Sequence, residues 1–180
     1  MIHVYLPGYS TKNLEEAESI SKVISKAKLQ VYARKWDHWF DETLPFGLER
    51  ERDLLIKVLQ NFKGQGYGLI AKSVGSLLAL EVMQAYGRAP KYLLVMGIPT
   101  KDMSAIEFAT YNQVLKSYAG PITFIRNSAD EVCPKDAADK LFEGVTYTYK
   151  EQPAEDHRYN YPDLILEIIK QYDTATEQPV

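Results

Sequence analysis

The chain has 180 residues, 46% of them hydrophobic, and a formal charge of −3 from 21 basic and 24 acidic side chains. This length and apolar content suit one compact domain over residues 1–180. No basic block suggests a nucleic-acid or membrane-surface footprint. The single cysteine, Cys133, excludes an internal disulfide, no apolar run approaches a membrane span, and the first residues read as a strand rather than a leader. A cytoplasmic protein is expected.

Short apolar runs alternate with amphipathic stretches along the chain. A strand is expected over residues 2–6, followed by a helix with Leu14, Ala17, Ile20 and Ile24 at helical spacing and Asn13 or Thr11 as its cap. A second strand over 29–33 leads into a loop bearing Trp36, Asp37, His38, Trp39 and Phe40. The next helix sets Leu54, Leu55, Val58, Leu59 and Phe62 against a charged face of Arg50, Glu51 and Lys57. After a strand at 67–72 comes a mostly buried helix with Leu77, Leu78, Leu80, Val82 and Met83. Strands at 91–97, 121–127 and 145–150 follow, and about one helix with Met103, Ile106, Phe108 and Tyr111 separates the first two of these. A last helix carries Leu164, Ile165, Ile168, Ile169 and Tyr172, before a polar, frayed tail at about 174–180. Near-continuous apolar strands separated by helices imply a parallel sheet covered on both faces. Right-handed crossovers then open every loop that follows a strand on the same, carboxyl edge of that sheet.

Three polar groups fall at that edge. Ala71-Lys72-Ser73-Val74-Gly75 closes an apolar run and opens a helix, with small residues two places to either side of the serine. This suits a sharp strand-to-helix turn that holds a nucleophilic hydroxyl above the sheet, with Ala71 where the usual pattern has a first glycine. Asp130 follows the strand at 121–127, and His157 follows the strand at 145–150. A serine, an acid and a histidine in that order resemble the α/β-hydrolase superfamily, and within it the small serine hydrolases without a lid. The resemblance spans nearly the whole chain. It implies a three-layer α/β sandwich with a six-stranded parallel sheet in the order 2-1-3-4-5-6 and no cap domain.

On that resemblance Ser73 would be the nucleophile, His157 its base and Asp130 the acid that orients the imidazole, with Asp102 and Asp156 as alternative acids. The backbone N–H of Val74 and that of Tyr9, in the Pro7-Gly8-Tyr9-Ser10 loop, would form an oxyanion hole. Lys72 would sit near the mouth of the site to attract an acidic substrate, or be an ordinary exposed lysine. Trp36 and Trp39 would wall an acyl pocket, or pack their loop against the second helix. No cofactor fingerprint and no metal-ligand spacing is present. The expected partner is a small ester or thioester. A non-catalytic binding or scaffold protein and an acyltransferase are the alternative readings.

Overall fold

Six strands form: β1 (Ile2–Leu6), β2 (Gln30–Ala33), β3 (Tyr67–Lys72), β4 (Leu93–Met96), β5 (Ile122–Asn127) and β6 (Thr148–Gln152). They pair in parallel in the order β2-β1-β3-β4-β5-β6. The helices are α1 (Asn13–Lys26), α2 (Leu48–Asn61), α3 (Val74–Ala85), α4 (Ala105–Ser117), α5 (Lys135–Leu141) and α6 (Pro162–Ala175). This is a computed structural model that describes residues 1–62 and 64–175, apart from the side chains of Asp102, Thr174 and Ala175. The end of the expected polar tail, residues 176–180, lies outside the described residues.

Alternation along each strand divides the interior into two cores. Val4, Leu6, Leu69, Val95 and Phe124 face Leu55 and Leu59 of α2, Leu78 and Val82 of α3, Tyr111 of α4 and Leu141 of α5. Tyr5, Ile70, Leu94, Met96 and Ile125 face Ala17, Ile20 and Ile24 of α1, and Ile165, Ile168 and Ile169 of α6. The chain leaves β1 toward β2 and returns to the other side of β1 at β3. That reversal of direction makes the carboxyl ends of β1 and β3 the natural place for a crevice. Between β4 and β5 there is only a short 3₁₀ turn, Thr100–Asp102, and α4. No cap domain covers the sheet edge among the described residues. None of their helices is long and apolar enough to cross a membrane.

Some local expectations are corrected. Neither Thr11 nor Asn13 caps α1: Lys12 occupies the cap position without a side-chain bond, and Asn13 is the first helical residue, buried. Glu51, placed on the charged face of α2, is buried and accepts from Arg34 Nε at 2.8 Å. The last strand starts three residues later than its apolar run, because Gly144, at φ 76°, ends the α5 turn and the Val145 N–H returns to the Phe142 carbonyl. Val145 and Tyr147 pack on the core from this loop, so their burial is real but not that of a strand.

Candidate active site

Strand β3 ends at Lys72 and α3 begins at Val74, so Ser73 makes the whole turn alone. Its backbone adopts φ 52° and ψ −124°, a combination that side chains other than glycine rarely tolerate. Residue 75 shows why a small side chain is needed beyond the turn. A Cβ there would stand 2.2 Å from the Leu6 carbonyl oxygen and 2.7 Å from that of Pro7. The first turn of α3 thus presses directly on the end of β1. Ala71, on the strand side of the turn, is fully buried.

The Ser73 hydroxyl lies 2.8 Å from His157 Nε2, and His157 Nδ1 lies 2.7 Å from Asp130 Oδ2. Asp130 Oδ1 accepts from the Val132 and Cys133 N–H groups at 2.9 and 3.2 Å. Burial raises the Asp130 carboxyl pKa, but the bonds from His157 and Tyr159 outweigh it and leave the group below its ordinary value. An ionised Asp130 acceptor places the ring proton on Nδ1 and leaves Nε2 free to accept from the serine. The imidazole is only partly exposed and the carboxylate is fully covered, so water reaches this line from the Ser73 end.

Three residues that the sequence reading did not single out hold the histidine loop. Asn127, the last residue of β5, donates both hydrogens of its amide to the Asp156 and Arg158 carbonyls at 2.8 Å each, gripping the main chain on both sides of His157. Its Oδ1 accepts from the Tyr161 hydroxyl at 2.8 Å. Tyr159, wholly buried, donates to Asp130 Oδ2 at 2.5 Å and accepts from the Asn127 N–H at 3.1 Å. The available signal was an asparagine closing a strand expected to be covered on both faces, because a side chain buried there must find partners for its polar atoms. Cys133, also buried, has its thiol pushed up to about 12 by burial and by the nearby Asp130 charge, against the pull of Arg126.

An open cleft of about 300 Å³ faces this line and is bounded by the Gly8–Ser10 loop, Asn13, Lys72, Ser73 and His157. Tyr9 is therefore brought to the site, and Val74 follows Ser73 at the start of α3. Trp36 and Trp39 do not line the cleft. Trp36 is completely buried and donates to the Gly8 carbonyl at 2.8 Å, while Trp39 donates to the Tyr9 carbonyl at 2.7 Å. They secure the loop from behind rather than walling an acyl pocket.

Lys72 is at the cleft but is neither exposed nor unpartnered. It shares the strand face of Ile70, which α1 covers, and its ammonium bonds Glu16 Oε2 at 2.6 Å and Asn13 Oδ1 at 2.7 Å. Tyr5 donates to the other Glu16 oxygen at 2.5 Å. Glu16 lies one turn before Ile20 on the buried stripe of α1, and a carboxylate so placed requires a cation.

Neither a protein-family model nor a curated protein sequence matches this chain. Solved structures do. A serine hydrolase without a lid from Xanthomonas campestris superposes with a TM-score of 0.72 at 14% identity, over 99% of this chain and 83% of that one. A type II thioesterase of the borrelidin biosynthetic cluster gives 0.67 at 18%, over 95% and 90% of the two chains. A monoacylglycerol lipase from Paleococcus ferrophilus gives 0.71 at 11%, over 95% and 94%. The chain has the α/β-hydrolase fold. Among the acids whose side chains are described, Asp130 is the one bonded to the His157 ring. Asp156 instead turns its carboxylate to the N–H and guanidinium of Arg158, at 3.1 and 3.6 Å. The side chain of Asp102 lies outside the described residues.

Proposed function

We propose that this α/β-hydrolase-fold protein is a serine hydrolase that cleaves small carboxylic esters or thioesters through an acyl-enzyme on Ser73. The observation that carries this reading is the unbroken line from the Ser73 hydroxyl through His157 to Asp130, opening on a cleft. The strained Ser73 backbone supports it, since strain of this kind persists where surrounding structure holds a reactive group in place.

The steps follow from the geometry. As the Ser73 oxygen bonds to the substrate carbonyl carbon, its proton passes to His157 Nε2, and Asp130 stabilises the resulting imidazolium. The carbonyl electron pair moves onto oxygen, where the N–H groups of Tyr9 and Val74 receive the charge, aided by the α3 dipole. Collapse of this intermediate breaks the bond to the alkoxide or thiolate, which leaves with the proton from His157. Water then attacks the acyl-enzyme, gives its proton to His157, and the acid is released as Ser73 recovers its own.

An open cleft beneath no cap favours a short acyl group, or one displayed on a larger carrier, over a long buried lipid chain. The thioesterase and lipase among the structural neighbours are consistent with acyl chemistry on this scaffold. The test is labelling by a fluorophosphonate probe, with the modified residue read by mass spectrometry, beside hydrolysis of p-nitrophenyl esters graded by acyl length. Label on Ser73 and turnover that Ser73→Ala abolishes are expected. In a protease with such a triad, loss of the nucleophile costs on the order of 10⁶ in turnover. No label and no turnover of any ester or thioester would instead favour a binding protein that keeps the fold without the chemistry.

A further inference from the structure

The segment Trp36-Asp37-His38-Trp39 has no part in the reaction as written, yet its polar atoms converge on the loop after β1. Trp36 Nε1 donates to the Gly8 carbonyl at 2.8 Å. Trp39 Nε1 and His38 Nε2 reach the next carbonyl, that of Tyr9, at 2.7 and 3.0 Å. A carbonyl only accepts, so the His38 proton is on Nε2. Asn13 Nδ2 donates to the Ser10 carbonyl at 2.8 Å. Three consecutive carbonyls of one short loop are thus held by side-chain donors.

One of these bonds has a consequence at the site. The described residues contain no cis peptide bond. The Gly8 C=O and the Tyr9 N–H share one trans peptide plane and point in opposite directions. Fixing the carbonyl from behind therefore fixes where the N–H aims. Among the described residues, neither the Tyr9 nor the Val74 N–H donates to another backbone group. The loop and Ser73 border the same cleft, and the contact of residue 75 with Leu6 and Pro7 sets the spacing between them.

We infer that Trp36 is a positioning residue for oxyanion stabilisation: its indole N–H, holding the Gly8 carbonyl, orients the Tyr9 N–H toward the oxygen of the ester attacked by Ser73. The inference rests on the serine-hydrolase reading above and deepens it.

The donor is rigid enough for the task. Trp36 is completely buried, edge-on to Phe46 at 5.4 Å and to Trp39 at 6.2 Å. The Arg34 guanidinium lies 5.7 Å from its ring centre and is itself bound by Glu51 at 2.8 Å and Asp37 at 2.9 Å. Asp37 also receives Arg50, at 2.7 Å. Each residue of the segment is thereby used: two indoles and an imidazole as donors to the loop, and a carboxylate that anchors the turn carrying them. Hydrogen bonds aimed in advance at developing charge need no reorganisation as the reaction proceeds, and their loss falls on the chemical step rather than on binding.

The experiment replaces Trp36 by benzothienylalanine, which keeps the shape of the indole but has sulfur in place of N–H, alongside Trp36→Phe. With p-nitrophenyl acetate as substrate, kcat of the isosteric variant is expected to fall on the order of 10- to 100-fold, less than for outright deletion of an oxyanion donor. KM should change by less than about threefold, the split expected when an interaction made only in the transition state is lost. Affinity for a boronic acid that forms a tetrahedral adduct on serine should fall with kcat, while affinity for the product acetate stays unchanged. A purely structural role would lower activity only in proportion to the unfolded fraction. An isosteric variant that unfolds at the wild-type temperature and turns over at the wild-type rate overturns the inference. If the wild-type protein neither takes the fluorophosphonate label nor cleaves the ester, the hydrolase reading fails and this inference with it. An active wild type beside an equally active isostere removes this inference alone.

Discussion

Adding a single methyl group in Gly75→Ala tests how closely the first turn of α3 must approach β1. The new Cβ would lie 2.2 Å from the Leu6 oxygen, 2.6 Å from the Leu6 carbonyl carbon and 2.7 Å from the Pro7 oxygen. All three are backbone atoms, so no side chain can swing aside. Restoring even 3.0 Å to the nearest requires 3.0 − 2.2 = 0.8 Å of separation. Leu6 is fixed in the ladder with Ala71, and the easiest part to move is the loop that begins at Pro7. Overpacking of this kind costs about 1–3 kcal/mol, while alanine recovers roughly 1 kcal/mol over glycine within a helix. The net destabilisation is then about 0–2 kcal/mol, at most several degrees in Tm for a chain of this size. Catalysis should suffer more, because a displacement near 1 Å between the Tyr9 and Val74 N–H groups can cost on the order of 100-fold. Urea denaturation and p-nitrophenyl acetate hydrolysis measure the two effects separately. A stable Gly75→Ala variant with wild-type kcat would refute the reasoning, since it would mean that loop and elbow need not touch.

Other expectations follow from the same geometry. Ser73→Gly should unfold at a higher denaturant concentration than Ser73→Ala, because glycine relieves a backbone conformation that costs about 1–3 kcal/mol in other residues; equal stability of the two would show that the turn is not strained. Tyr159→Phe removes one of the donors that hold the Asp130 carboxyl below its ordinary value. A depressed carboxyl adds stability that is complete above the ordinary value and lost as pH falls through the folded one, so the variant should unfold at higher pH in an acid titration followed by circular dichroism. Lys72→Met strands the Glu16 carboxylate in a buried site with Tyr5 as its remaining donor, at a cost of about 3–5 kcal/mol, and adding Glu16→Leu should recover much of it in urea melts. Cys133, buried and with its thiol raised to about 12, should resist iodoacetamide at pH 8 until the protein is unfolded.

How much of this was legible depends on the range of the forces concerned. Strands β1, β3, β4 and β5 were readable because they are buried along their whole length, and strands covered on both faces are largely apolar. The helices that cover them show their buried stripes locally. Short α5 escaped notice because seven residues give barely two turns of periodicity. The β6 start was misjudged because Val145 and Tyr147 are buried by a loop, and burial alone does not distinguish a loop from a strand. The partners of Lys72 and Trp36 were hidden for a related reason. Their neighbours in sequence suggest a cleft mouth and a pocket wall, whereas their partners, Glu16, Asn13 and Gly8, lie 56, 59 and 28 residues away.

By itself the sequence determined the alternation of strand and helix, the sheet edge on which the loops open, and the small residues around Ser73. Each of these follows from local periodicity or local sterics. Only the tertiary structure decided that Asp130 rather than Asp156 meets the imidazole, that Asn127 and Tyr159 grip the loop around it, and that Lys72 is neutralised beneath α1. Those outcomes are set by hydrogen-bond distances between chain segments, which vary with every ångström of packing and leave no periodic trace in the order of residues.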